Sequence, residues 1–327
     1  MILTWGFLRR FIFGLSLERL DYLWTLFPGE ESSARKQLRQ VTYSFVQEYN
    51  TALEVGPSSV LNSTLKAMDP DMQGFACEGI GMALTVIDYT TPWNRYRLQD
   101  FAEGAGKAHS DLVHVGAGFA MAILPGGMSA FLPKMNPMQR WLSLDGLGCY
   151  HGMFNWQSSV ERSRIPPYIT GYAARAFDQG LGRSIWFGHS ADIDAIVDTV
   201  KSFETKRQFD LWSGIGVAST YAGGTSADDL EKLLKASGSH HQALSQGAAI
   251  AARFRARGGN LNQHTDIACR ILCGVSAADA AHIAETTRLE LSVDVLEAVD
   301  VKQPVYEVWR QKLAANLIVP FATTSSI

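Results

Sequence analysis

The chain has 327 residues and a formal net charge of −3, and 46% of its residues are hydrophobic against 19% charged. This length allows one large domain or two ordinary ones, and the apolar fraction is sufficient for a large core. The slightly acidic charge argues against nucleic acid as the main partner, because domains that bind phosphate backbones are usually basic.

Residues 1–30 are predicted to form an N-terminal docking segment. Residues 1–16 are apolar, include Arg9 and Arg10, and are too few to cross a bilayer. Two interpretations remain open: a terminal helix packed on the fold, or shallow contact with a membrane surface. Residues 31–318 are predicted to form one helical domain, and residues 319–327 a disordered tail.

An internal repeat dominates this domain. Six apolar segments each contain a Gly-x-Gly sequence, once changed to Gly-x-Ala, and their first glycines lie 37, 30, 34, 34 and 33 residues apart. A period near 34 residues is typical of a helix, a turn and a second helix. We therefore predict an all-α repeat array of about six helix-turn-helix units, either an open solenoid or a closed α/α arrangement. The first glycines are Gly79, Gly116, Gly146, Gly180, Gly214 and Gly247.

Helix boundaries are clearest in the later units. Ser190, Ser226 and Ser276 each precede an acidic first turn, as N-caps do. We predict loops at 125–137 and 165–167, and we assign no structure to the charged residues 288–302. The predicted helices are 168–187, 191–203, 206–222, 226–236, 240–257, 276–287 and 305–316.

Packing must offset the cost of the repeated glycines, because each one lowers the stability of its helix by roughly 1 kcal/mol relative to alanine. Removing a side chain lets another backbone, or a ligand, come close. The two glycines of a pair point about 200° apart, so each helix is expected to be covered on two sides. Either a second layer of helices presses on them, or they form the floor of a groove that admits a ligand.

The residue before each first glycine is polar in five of the six copies, although the segments are otherwise apolar. Buried polar groups need partners, so these residues either cross-link helices or line one concave channel. In a channel, Glu78 and Asp145 are the candidate catalytic acids, because burial raises the pKa of a carboxyl group. The candidate substrate-binding residues are Gln179, Gln246, Ser213, Tyr150, His151, Trp186, Trp212, Asp178 and Arg183.

For two groups of these candidates, a structural role is the alternative to a role in the site. Asp178 and Arg183 could pair with each other along one helix. The tryptophans either belong to the core or wall a cavity, where aromatic faces would stabilise a cationic intermediate.

The sequence predicts no metal and no cofactor. Cys269 and Cys273 have no second ligand pair at zinc spacing. The four cysteines are expected to be ordinary thiols of a reducing cytoplasm. Phosphate-binding loops and nucleophile elbows are absent.

Seven segments, in order, are similar to those of one family. They are 74–82, 115–122, 141–151, 178–187, 211–224, 246–252 and 306–310. Together they resemble the UnbL-like proteins, a family described as domain of unknown function 1702, over about residues 35–315. The resemblance implies bacterial specialised metabolism, since such proteins are encoded beside enediyne polyketide synthases. It implies no catalytic residues.

The leading functional hypothesis is a protein that binds and shapes a hydrophobic polyene or isoprenoid. If it is an enzyme, we expect a cofactor-independent acid–base cyclase or isomerase. The alternative is a non-catalytic helical scaffold that binds partner biosynthetic proteins, and a third hypothesis is an inert carrier for an unstable polyene.

Overall fold

The computed structural model describes residues 5–91, 93, 95–291 and 303–317, and within these ranges the chain is helical and has no strand. The all-α prediction is confirmed. The helices are α1 (Trp5–Phe13), α2 (Leu17–Leu26), α3 (Ser33–Val55), α4 (Ser59–Ala67), α5 (Pro70–Thr90), α6 (Arg97–Glu103), α7 (Ser110–Ile123), α8 (Gly127–Phe131), α9 (Gln139–Phe154), α10 (Tyr172–Gly188), α11 (Ile193–Lys201), α12 (Thr205–Tyr221), α13 (Ala227–Ser237), α14 (His241–Gly258), α15 (Gln263–Cys273), α16 (Ala277–Leu289) and α17 (Val305–Asn316).

Eight of the described helices lie side by side in chain order and are called the central helices: α3, α5, α7, α9, α10, α12, α14 and α16. Neighbouring central helices point the same way. Arg175, near the start of α10, pairs with Asp210 of α12, and Trp186, near the end of α10, donates a hydrogen bond to Gly223, just beyond α12. Short helices such as α6, α11 and α13 lead the chain back between them. The repeating unit is therefore a long helix followed by a return segment.

The paired glycines lie where central helices touch. A Cβ atom on Gly116 would overlap the carbonyl oxygen of Glu78 on the preceding helix, and one on Gly118 would overlap that of Ser143 on the following helix. The same alternation recurs in the later pairs, as the 200° separation predicts. The glycines serve close packing of helices, and the interpretation of them as an open groove floor is wrong.

Some local predictions need correction. The predicted loop at 125–137 contains α8 and a short 3₁₀ turn, and α15 was not predicted. The predicted helices from residue 168 onwards agree with the structure within a few residues. The predicted tail, residues 319–327, and most of 288–302 lie outside the described residues.

Early and late helices of the array are in contact with one another. Arg255 of α14 pairs with Asp71 of α5 at 2.9 Å, and Arg253 pairs with Asp111 of α7 at 2.6 Å. Gln37 of α3 donates a hydrogen bond to the carbonyl of Ala222, at the end of α12, at 3.0 Å. These contacts show that the array curves back on itself, and we call it closed in this sense.

The N-terminal helix α1 packs on α3, as the first of the two interpretations predicted. Among the described residues, no single helix is long and apolar enough to cross a membrane, and only α15 and α16 together, bent by 69°, reach that length and composition.

Candidate functional site

Arg183 of α10 joins two buried carboxylates near the middle of the array. Its Nη1 donates a hydrogen bond to Asp145 of α9 at 2.7 Å, and its Nη2 donates one to Glu78 of α5 at 2.8 Å. The close approach of these helices at their glycines brings the three side chains together. We call Glu78, Asp145 and Arg183 the acid cluster.

The acid cluster has one cation for two acids. Burial raises the pKa values of both Glu78 and Asp145, and the nearby Arg183 only partly offsets this effect. Burial alone would lower the pKa of Arg183, but the two carboxylates raise it well above its ordinary value. The arrangement therefore favours the charged form of Arg183, and it makes both carboxyl groups weaker acids than exposed ones.

A cavity of about 60 Å³ lies over this cluster, between α2, α3, α5, α7, α9 and α10. Glu78 and Arg183 provide its charged lining, and Cys149 also faces it. Burial raises the pKa of the Cys149 thiol to about 12, so the thiol stays neutral. The remaining wall is mostly apolar and includes Leu20, Phe45, Val46, Phe75, Phe119, Met153 and Phe187.

A second polar network fills the interior beside α17. Arg310 pairs with Asp210 at 2.8 Å and donates a hydrogen bond to Gln246 at 3.0 Å. Ser213 donates a hydrogen bond to the same Gln246 oxygen. Gln179 donates one to the hydroxyl of Tyr306 at 3.1 Å. We call these residues the axial network; in it, Gln179, Ser213 and Gln246 bond to α17 or to a neighbouring helix.

The other predicted site residues lie elsewhere. Asp178 binds Arg207 through both carboxylate oxygens, at 2.8 and 2.5 Å. The suggested pair of Asp178 with Arg183 is therefore wrong.

Four predicted aromatic residues do not line the cavity. Trp186 and Trp212 are buried in the core, and Trp186 donates its indole N–H to the backbone. Tyr150 packs on Phe154, and His151 packs on Phe177.

The sequence analysis missed most of the cavity wall. Met153 and Phe187 occupy equivalent repeat positions, seven residues after a first glycine, and this shared position is a signal that could have identified them. Phe45 and Leu20 precede the first glycine pair, so the repeat carries no information about them. Among the described residues, no group of three or more His, Cys, Asp or Glu is arranged to hold a metal ion.

A family model described as "Protein of unknown function (DUF1702)" matches residues 4–317. The chain belongs to this DUF1702 family. Neither the curated proteins nor the solved structures contain a match to the chain. The resemblance to the family is thus confirmed over nearly the whole DUF1702 protein, and the link to enediyne clusters remains a prediction.

Proposed function

We propose that this protein binds one end of a hydrophobic polyene or isoprenoid chain in the cavity and transfers a proton to it. The observation that carries the proposal is an apolar cavity with a buried, surplus carboxyl group in its wall. Apolar walls with a few fixed polar groups are typical of small-molecule sites. Glu78 lines the cavity. Asp145 does not line it, but it accepts a hydrogen bond from Arg183, which does.

The cavity volume limits the size of the ligand that can bind. About 60 Å³ is far below the roughly 300–1,000 Å³ of pockets for drug-sized ligands. The space therefore fits a chain end, and a longer chain requires the outward movement of a covering element. The candidate is α2, because its Leu20 forms part of the wall while its opposite face is exposed.

The chemistry we propose is an isomerisation or a cyclisation that needs no co-reactant. The protonated Glu78 donates its proton to a terminal carbon–carbon double bond, forming a C–H bond and a carbocation. A second double bond of the chain attacks the cation in a cyclisation, and loss of another proton to the Glu78 carboxylate restores the acid. The faces of Phe45, Phe75 and Phe119 are suited to stabilise the cation, and a raised pKa keeps the acid protonated nearer neutral pH.

Binding is tested with retinol, a polyene alcohol whose fluorescence rises in apolar sites. Val46→Phe fills the cavity and is expected to weaken retinol binding at least about tenfold, a change of 1.4 kcal/mol. Val197→Phe, equally buried but on α11, is the matched control and should bind retinol like the unmodified protein. Equal affinity of all three proteins would contradict the proposed site.

Proton transfer is tested by incubation with unsaturated isoprenoid alcohols in D₂O. The unmodified protein is expected to introduce deuterium into the chain, and Glu78→Gln to introduce none while binding retinol normally. Asp145→Asn is expected to lose turnover as well, because it removes the surplus acid while the fold remains intact. Uptake by Glu78→Gln at the unmodified rate would rule out Glu78 as the acid, and no uptake with the unmodified protein would assign it to the inert carriers.

We propose further, on the family resemblance, that the ligand belongs to bacterial specialised metabolism of the enediyne polyketide type. Comparison of metabolites from strains with and without the gene tests this. The rival function, a scaffold for partner proteins, is less favoured because α17 already occupies part of the interior, where it bonds to Gln179, Asp210 and Gln246.

A further inference from the structure

The N-terminal helix α1 exposes most of its apolar side chains. Trp5 is 79% exposed, Phe11 78% and Ile12 60%, and Phe7 and Leu8 are also exposed. At 100° per residue, these five side chains cover an arc of about 160° on one side of the helix. Exposed apolar patches of this kind typically mark interaction surfaces.

The orientation of this arc is fixed by the opposite side of α1. Gly6 lies against the backbone of Glu54, where any side chain would overlap. Arg9 donates a hydrogen bond to the carbonyl of Leu53 at 3.0 Å, and Arg10 pairs with Glu54. These contacts hold α1 on α3 with its apolar arc facing outward.

The charges around the arc favour an anionic lipid surface as its partner. Helix α1 contains Arg9 and Arg10 and no acidic residue. The helical projection puts these arginines on the two opposite borders of the arc. An apolar face with aromatic residues, flanked by arginines, is the pattern of helices lying in a bilayer interface; here Arg9 bonds to a backbone carbonyl and keeps its charge, whereas the half-exposed Arg10 pairs with Glu54. Tryptophan is also enriched at that depth.

Helix α2 connects this surface with the cavity. It exposes Tyr22 and Leu26 on one face, while Leu20 on the other face lines the cavity. A water-insoluble chain that leaves a bilayer beside α1 would therefore meet α2 on its way to the cavity.

We propose that the apolar arc of α1 docks on the surface of an anionic lipid bilayer, and that hydrophobic ligand enters the cavity from this surface past α2. The entry route rests on the proposed function, whereas docking does not.

Flotation of the full chain with vesicles tests the docking. We expect the protein to float with vesicles of phosphatidylcholine and phosphatidylglycerol, to float less with phosphatidylcholine alone, and to be released partly by salt. The double variant Trp5→Ser/Phe11→Ser should reduce the bound fraction at least tenfold. The matched control, Trp93→Ser/Leu289→Ser, removes side chains that are 82% and 69% exposed elsewhere and should float normally.

Three outcomes would overturn the docking. The first is failure of the unmodified protein to float, and the second is equal loss of binding in the control variant. The third is a dimer that the substitutions Trp5→Ser/Phe11→Ser dissociate, because this would assign the arc to a second copy of the chain. Retinol binding in detergent-free solution is measured separately, so failure of docking and failure of the ligand site give different results.

Discussion

At the scale of single residues, the acid cluster is the most unusual feature of the core. Removing one partner of a buried ion pair typically costs 3–5 kcal/mol, because the other charge is left without compensation. In the acid cluster the loss of Arg183 would leave two such carboxylates. These carboxylates could then lose their buried charge by taking up protons.

Arg183→Met is therefore expected to lower the free energy of unfolding by about 3–5 kcal/mol near neutral pH and by less in acid. The folded-state pKa values of Glu78 and Asp145 are raised, so the fold favours their protonated forms. Their contribution to stability is present below their ordinary pKa values and is lost as the pH rises through the raised ones. Urea unfolding at pH 5 and pH 8 measures the difference.

Two further variants make this prediction specific. Adding Glu78→Gln and Asp145→Asn to Arg183→Met should recover much of the lost stability and flatten its pH dependence. Arg175→Met removes an arginine that is partly exposed and should cost little, since Arg310 still pairs with Asp210 and Glu307. A pH-independent loss in Arg183→Met would show that the carboxylates do not titrate in the fold.

The sequence predicted the two acids and named Arg183 as a candidate binding residue, but it did not predict that Arg183 pairs with both acids. Glu78 and Asp145 were identifiable because they occupy the same repeat position, a polar one within apolar segments. Arg183 lies 105 residues from Glu78 and 38 from Asp145 along the chain. No local pattern encodes such pairings; they depend on how far the array curves.

At the scale of helices, the glycine pairs decide how near the central helices can come. On helical propensity alone, alanine at these positions would stabilise each helix by about 1 kcal/mol. The carbonyl oxygen of the neighbouring helix occupies the place of the methyl group instead. Packing thus outweighs propensity at every one of these contacts.

Gly116→Ala is expected to destabilise the protein by about 3 kcal/mol, because α5 and α7 must separate to admit the methyl group. The matched control is Ala249→Gly, which makes the opposite change at the corresponding pair on α14 and should cost only about 1 kcal/mol. Thermal and urea unfolding compare the two variants. A stabilised Gly116→Ala protein would mean that propensity dominates and that the helices can move apart freely.

Helix prediction succeeded where the repeat and the caps agree. Ser226 and Ser276 cap α13 and α16 as expected, through hydrogen bonds from the backbone of the first turn. The prediction for Ser190 is wrong, because Asp192 caps α11 instead. Helix α15 was missed because it has no glycine pair and its cap is Asn262. Helix α8 was missed because its five residues follow Gly126, which adopts a left-handed conformation typical of turns.

At the scale of the molecule, closure distinguishes this array from an open solenoid. In an open solenoid each repeat contacts only its neighbours, so terminal repeats can open independently. Here α14 pairs with α5 and α7, and α3 contacts the end of α12. The sequence did not decide between an open and a closed array, because the repeat period determines the length of each unit but not the curvature of the array.

A closed array is expected to unfold in one cooperative step. Circular dichroism and tryptophan fluorescence should give coincident urea transitions. Backbone amides in α3 and α16 should exchange with similar opening free energies. Separate transitions, or early exchange confined to α16, would contradict closure.

The position of α17 also has a consequence for biosynthesis. Tyr306 and Arg310 supply hydrogen-bonding partners to Gln179 on α10, Asp210 on α12 and Gln246 on α14. Those three helices emerge from the ribosome well before α17 does. A nascent chain that ends before residue 305 would leave Asp210 with Arg175 as its cation, and it would leave the side-chain amides of Gln179 and Gln246 without their partners on α17. A chain truncated before residue 305 is therefore expected to be less stable and more readily degraded by proteases than the full-length chain.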